Sequence, residues 1–286
     1  MKLGINLLCT SGFIDTPHVE VFELAKSAGF DGVEIPVMSG TPEHYARLSR
    51  FLDQLGLERT STMIIPDPDR DPGSADPAIR QRGIDHLNWA IDCNEALGST
   101  SIGGPFHAPI GHFPGRGPTE DELQRCAEVH HDMAQRAFSL GIQLSLEPLN
   151  RFETHFLNTM EQAVAYAERV DHPNFKIMYD TFHAHIEEQD PLAAAHAIRD
   201  HLGVLHVSEN DRGIPGRGQV DFASLFRTLK QDGFDNWIVV EAFGNALPEL
   251  SAATRVWRPL FPDLHTLFHE SAELVRSTWT EVKPNK

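Results

Sequence analysis

The sequence predicts an α/β fold, a single closed (β/α)8 barrel. Eight short runs rich in Ile, Val and Leu recur along the chain, and helix-length amphipathic segments separate them. The 286 residues then provide about 36 per repeat, the spacing of a barrel of roughly 250 residues with small additions. Strands buried on both faces read as continuous apolar runs, and parallel neighbours need crossover helices to join them.

The first run is Lys2–Leu8. Thr16-Pro17 opens the helix after it, a capping residue followed by Pro at the first helical position, and Gly29 closes it in the left-handed conformation. The second run, Gly32–Val37, leads to a helix between Thr41-Pro42 and Gly56. The third, Leu57–Ile64, is followed by a Pro/Asp-rich stretch, Pro66–Pro77, read as a loop over the barrel mouth, and by a helix from Asp76-Pro77 to Gly98. The fourth, Ser99–Gly103, passes through a glycine/proline-rich loop into a helix ending at Gly141. Gln143–Glu147 and Phe175–Asp180 are the fifth and sixth. Asp190-Pro191 opens the helix before Leu202–Ser208, the seventh. Asp221 caps a helix over Phe222–Gln231, and Trp237–Glu241 is the eighth run. One domain, 1–286, carries a C-terminal helical extension at about 248–280. Its apolar positions Val256, Trp257, Leu260, Phe261, Leu264, Leu267 and Phe268 form either a subunit interface or a core-facing terminal helix. A doubly wound open sheet is the competing architecture, but Leu8-Cys9-Thr10-Ser11-Gly12 is not G-x-G-x-x-G.

With 24 Lys+Arg against 41 Asp+Glu the formal charge is −17. Such a chain lacks the cationic field that displaces counterions from nucleic acid, and an acidic membrane surface is disfavoured for the same reason. No run approaches the ~20 apolar residues of a membrane span. Cys9, Cys93 and Cys126 are few, odd in number and far apart, which points to a reducing cytoplasm and no disulfide framework.

Barrel enzymes place their chemistry where strands end at the C-terminal rim. The fifth run ends in Glu147, the sixth in Asp180 and the eighth in Glu241, and His206 lies near the end of the seventh. Carboxylates gathered at buried strand ends repel one another, and a divalent cation is the simplest compensation. Three oxygens and one imidazole suit Mn²⁺, Mg²⁺ or Co²⁺, with Zn²⁺ as a further option. Glu153 follows Glu147 by six residues, His183 follows Asp180 by three, and Arg212 follows His206 by six. Together they offer donors and acceptors for a polyhydroxylated ligand, although singly each also reads as a cap or a solvated charge. Glu34 is read as a brace of the rim. His107 and His112 lie in the loop after the fourth run, either as plain loop histidines or on the pocket wall, and His107 is carried as a substrate contact. Pro215-Gly216-Arg217-Gly218 reads as a rigid turn that holds Arg212.

At these residues the chain resembles the D-tagatose/D-psicose (allulose) 3-epimerase group of the xylose isomerase-like TIM barrels. The segments that carry the resemblance are Glu147-Pro-Leu-Asn-Arg-Phe-Glu153, Asp180-Thr-Phe-His183, His206 through Arg212 with Pro215-Gly216-Arg217-Gly218, and Glu241. The resemblance implies a Mn²⁺, Co²⁺ or Mg²⁺ site of Glu147, Asp180, His206 and Glu241. It implies that Glu153, His183 and Arg212 hold the O1–O2 end of a sugar, and that the protein forms homodimers or homotetramers. Two segments depart from the group's text. Pro105-Phe106-His107-Ala108-Pro109 replaces a Trp-containing stretch, and Ser208-Glu209-Asn210-Asp211-Arg212 replaces Gly-Glu-x-Asn-Arg. A smaller wall of this kind suits a larger ligand such as a keto-glycoside.

The expected function is metal-dependent epimerisation of a ketose at C3, by proton abstraction next to a carbonyl through an enediolate. Strands five and eight are three positions apart on an eight-strand ring, so Glu147 and Glu241 approach a central sugar from separated directions and serve as the two acid–base catalysts. The alternatives are an aldose–ketose or hydroxypyruvate-type isomerase, and an epimerase or isomerase of a keto-glycoside or cyclitol ketone. A metal-dependent endonuclease would need basic loops, and a non-catalytic sugar-binding barrel would not need two opposed glutamates.

Overall fold

The computed structural model describes residues 1–15, 18–245 and 248–283. Among them, eight parallel strands close into a barrel in sequence order. The strands are β1 Lys2–Asn6, β2 Gly32–Pro36, β3 Glu58–Thr62, β4 Ser101–Gly104, β5 Gln143–Leu146, β6 Phe175–Asp180, β7 Leu202–Val207 and β8 Trp237–Val240. β1 pairs with both β2 and β8, which closes the ring. Most strands are shorter than the apolar runs that announce them. Leu7 and Leu8, expected to extend β1, belong instead to a 3-10 turn, Leu7–Cys9, because the Asn6 side chain accepts the Leu8 N–H and turns the backbone out of the sheet.

The helices wrap the barrel: α1 Val19–Ala28, α2 Pro42–Leu55, α3 Pro77–Leu97, α4 Glu120–Ser139, α5 Met160–Val170, α6 Thr181–Glu187, α7 Pro191–Ala197 and α8 Phe222–Gln231. Two more, α9 Pro248–Thr254 and α10 Leu264–Glu281, follow β8. The stop and start signals act as expected. Gly29, Gly56 and Gly98 end α1, α2 and α3 with positive φ. Asp76, Asp190 and Asp221 accept backbone N–H groups at the starts of α3, α7 and α8. The Thr16-Pro17 signal lies outside the described residues. Of the C-terminal apolar positions, Leu267 and Phe268 are buried in the core while Trp257 is 70% exposed.

Period-two alternation decides what fills the barrel. Met178, Val204, Trp237 and Val239 form a separate apolar layer inside the ring, whereas Tyr179, Leu205, Ile238 and Val240 pack outward with the helices. Glycines make room for this layer: a Cβ on Gly103 would lie 2.2 Å from Met178 Cε. Two residues further along each strand the next inward positions are Asp180, His206 and Glu241, and on the β1–β2 side Asn6 and Glu34 follow Gly4 and Gly32. The site is therefore the layer directly above an apolar plug, at the end of the barrel where the strands terminate.

Candidate active site

Glu147, Asp180, His206 and Glu241 are all buried, and each offers a ligand atom within 4.8 Å of the others'. Asp180 is the last residue of β6 and faces His206 across the sheet. Glu147 and Glu241 sit one residue past β5 and β8; their N–H groups continue the ladders to Gly104 O and Val207 O, both at 3.0 Å. These last sheet-like bonds hold both glutamates in strand geometry although the strands have ended.

His206 carries the clearest mark of a metal ligand. Its two ring nitrogens are buried and make no hydrogen bond of normal geometry, yet Nδ1 stands 3.3 Å from Glu241 Oε1 and Nε2 stands 2.9 Å from Glu34 Oε2. One ring nitrogen thus faces the acidic centre and the other a carboxylate behind it, the arrangement in which an outer carboxylate orients a metal-binding imidazole. Burial disfavours the charged ring, but Glu34 and Glu241 outweigh it and raise the His206 pKa well above the ordinary value. Glu34 is held by Asn6 Nδ2 at 2.9 Å and Thr60 Oγ1 at 3.1 Å, and Asn6 Nδ2 also donates to Glu241 Oε1 at 3.1 Å. Three carboxylates and one imidazole converging on one point, with an unsatisfied ring nitrogen among them, fit a hard or borderline divalent cation.

The two glutamates are pushed apart in acidity. Burial raises the Glu147 carboxyl well above the carboxylate range, and repulsion from Glu241 and Asp180 adds to it. Burial also raises Glu241, but Arg212 and His206 outweigh it and hold that carboxyl at about 2. The two carboxyls therefore differ in how readily each takes up a proton.

Arg212 Nη1 donates to Asp180 Oδ2 at 2.8 Å, to Ser208 Oγ at 2.9 Å and to Glu241 Oε2. Its guanidinium lies 3.8 Å from the Phe182 ring centre and 4.8 Å from that of Phe243. The Pro215–Gly218 turn fixes the loop. Glu209, itself buried, accepts the N–H groups of Asn210, Gly216, Gln219 and Val220 at 2.9–3.0 Å, and its backbone carbonyl accepts the Arg212 N–H at 2.9 Å. A Cβ on Gly218 would lie 2.5 Å from the Glu209 carboxyl carbon, so only glycine closes the turn.

Both ring nitrogens of His183 face hydrogen-bond donors: the Asn150 backbone N–H donates to Nδ1 at 3.0 Å, and Arg212 Nη2, which can only donate, stands 3.0 Å from Nε2; His183 Nε2 is also 3.5 Å from Glu147 Oε1. Burial, with repulsion from Arg212 and His206 and against attraction by Asp180, lowers its pKa to about 3. Asn150 Nδ2 donates to Glu153 Oε1 at 2.7 Å and ties Glu153 to His183.

A cavity of about 430 Å³ opens above this layer, and Glu147, Glu153, His183, Arg212 and Glu241 line it. Asp180 and His206 lie beneath. His107, expected to touch substrate, does not line the cavity. It is fully buried, its ring centre is 5.3 Å from that of Phe156, and burial followed by repulsion from His130 and His155 lowers its pKa to about 3. The β4–α4 loop presents Pro105, Ile110 and Gly111 to the cavity instead. Sequence reasoning missed Asn6 and Asn150. Asn6 had a signal, being the last residue of the first strand, whereas nothing local marked Asn150 as the link between Glu153 and His183.

The model of the xylose isomerase-like TIM barrel family matches residues 22–260. The chain belongs to that family. A ketose 3-epimerase of Arthrobacter globiformis is 32% identical over 286 residues, covering 99% of this chain and 98% of its own. An L-ribulose 3-epimerase of a Methylomonas species is 32% identical over 257 residues, 89% of each chain. The crystal structure of a Methylomonas D-allulose 3-epimerase in complex with D-allulose superposes with a TM-score of 0.91 at 30% identity, covering 97% of both chains. These three relatives are ketose 3-epimerases. No helix among the described residues is long and apolar enough to cross a membrane.

Proposed function

We propose that the protein is a divalent-metal-dependent ketose 3-epimerase. The observation that carries this reading is that Glu147 and Glu241 offer carboxylate oxygens to one buried centre from strands three positions apart on the ring. Glu147, Asp180, His206 and Glu241 would hold the cation, with Mn²⁺ favoured over Co²⁺ or Mg²⁺. When bound, such an ion supplies Lewis-acid polarisation of the substrate carbonyl.

The remaining work falls to the side chains. The ionised glutamate takes the C3 proton from one face of the sugar, leaving an enediolate, and the protonated glutamate returns a proton to the other face. In one direction Glu241 is the base and Glu147 the acid; in reverse they exchange roles. Arg212 and His183 hold the O1–O2 end, and Glu153 accepts a hydrogen bond from a substrate hydroxyl. His107, buried behind Phe156, has no place in this scheme except as packing. The same reading takes residues 1–286 as one barrel domain with a helical extension at about 248–280, acting in the cytoplasm as a homodimer or homotetramer.

The test is C3–H exchange with solvent deuterium. Glu147→Gln should lower epimerisation by a factor on the order of 10³, and C3–H exchange by as much on the epimer whose proton Glu147 removes. A Glu147→Gln protein that exchanges and turns over normally would remove that residue from the mechanism.

A further inference from the structure

The start of α10 carries a pair of imidazoles that the barrel centre does not use. His265 and His269 are four residues apart on this helix, a spacing that makes side chains neighbours on one face. Their rings stack, with centres 4.0 Å apart and planes inclined by 21°. His265 is exposed and His269 half-buried, while Leu267 and Phe268, between them in sequence, are buried in the core. The pair therefore lies on the outer side of the helix, and neither histidine lines the substrate cavity.

One ring is oriented by its own helix. His269 Nδ1 lies 3.0 Å from the His265 carbonyl oxygen. A carbonyl only accepts, so Nδ1 carries a proton and, in the neutral ring, Nε2 keeps its lone pair. Metal-binding histidines are held in the same way, by a backbone carbonyl on the other nitrogen. Among the described residues, no hydrogen bond occupies His269 Nε2 or the His265 ring. The flanking charges suit a cation. Asp263 caps α10, accepting the Thr266 N–H at 2.7 Å, and Glu273 follows His269 by four residues on the same side of the helix. Arg217, which reaches α10 from the β7–α8 loop, is already bound to Glu270 at 2.7 and 2.9 Å.

We propose that His265 and His269 form a second metal site, outside the barrel, for a late first-row divalent cation such as Ni²⁺, Cu²⁺ or Zn²⁺. Two imidazoles at i and i+4 of a helix offer two nitrogens to one ion. Nitrogen ligands favour these ions over Mg²⁺ and Mn²⁺, which take oxygen. Water completes the coordination. A cation held there links two turns of the helix on which the Arg212 loop rests through Arg217 and Glu270. The site stands independently of the epimerase reading, since neither histidine belongs to that machinery.

Calorimetric titration with Ni²⁺, on protein first saturated with Mn²⁺, tests the site in the wild type, His265→Gln and His269→Gln. Mn²⁺ release is followed in parallel by electron paramagnetic resonance, so that exchange inside the barrel is counted separately. The wild type should bind one equivalent of Ni²⁺ beyond any that displaces Mn²⁺. Each variant should bind that equivalent roughly tenfold or more weakly, because one of two linked ligands is gone. Added Ni²⁺ should also raise the melting temperature of the wild type by more than that of either variant. Uptake that only matches Mn²⁺ release overturns the proposal, and so does an extra equivalent whose affinity survives either substitution.

Discussion

Glu34 of β2 reaches across the inside of the barrel to stand 2.9 Å from Nε2 of His206 on β7. The two strands are three positions apart on the ring, so the contact crosses the interior and does not run along the sheet. Glu34 thereby sets which face of the imidazole ring is offered to Glu147, Asp180 and Glu241.

Glu34→Gln should therefore weaken divalent-cation binding about 10–100-fold, the usual cost of losing an outer-sphere carboxylate. The folded state should persist, because the Gln carbonyl still accepts from Asn6 while its NH2 group can donate to the Thr60 hydroxyl oxygen. Titration calorimetry with Mn²⁺ reads the affinity, and an unchanged value would show that His206 needs no such partner.

Removal of the cation should cost stability as well as activity. Four carboxylates (Glu34, Glu147, Asp180, Glu241) share the interior with one guanidinium and two imidazoles, those of His183 and His206. Chelation should lower the melting temperature, and added Mn²⁺ should restore it in a concentration-dependent way, by about 2.7 kcal/mol at a hundredfold excess over Kd. A melting temperature indifferent to chelator and to Mn²⁺ would speak against a cation at this centre.

Glu209→Gln should act at a distance on Arg212. Even with its carbonyl kept at the three N–H groups that Oε1 serves, the amide turns an NH2 group towards the Gly216 N–H, so roughly 1–3 kcal/mol of stability should be lost and the β7–α8 loop should loosen. With Arg212 in its proposed role at the substrate, KM should rise by more than kcat falls. Urea unfolding and steady-state kinetics on one preparation separate these effects.

His130 should make the protein acid-sensitive. Its Nδ1 lies 2.8 Å from the Tyr166 hydroxyl and its Nε2 3.2 Å from the Phe106 carbonyl, so the neutral ring is fully satisfied. Burial, against a smaller opposing effect of Phe106, lowers its pKa from 6.5 to about 4. The folded state thus resists a proton that the unfolded chain accepts. This stability is complete above pH 6.5 and is lost as pH falls towards 4, a total of about 3 kcal/mol. His130→Gln should be less stable at pH 7.5 yet show a shallower loss between pH 6.5 and 4, measured by urea midpoints across that range.

Much of the site was legible because a parallel barrel puts strand ends at one rim. Glu147, Asp180, His206 and Glu241 could be picked out as polar residues ending apolar runs, and helix caps such as Asp76 and Gly98 followed from local backbone chemistry. His107 shows the limit. A histidine in a loop has no periodicity to say which way it points, and here packing against Phe156 turns it away from the cavity. Glu34 was readable as a brace, but its partner was not, since the two residues are separated by most of the chain.

The sequence by itself determined the alternation of strands and helices, the residues that close each strand and the charge of the chain, because these depend on neighbours a few positions apart. Only the tertiary structure decided that four of those residues share one centre and that Asn6 and Glu34 stand behind it. Those relations depend on ring closure and on the apolar layer of Met178, Val204, Trp237 and Val239, which sets the height at which the next inward side chains meet.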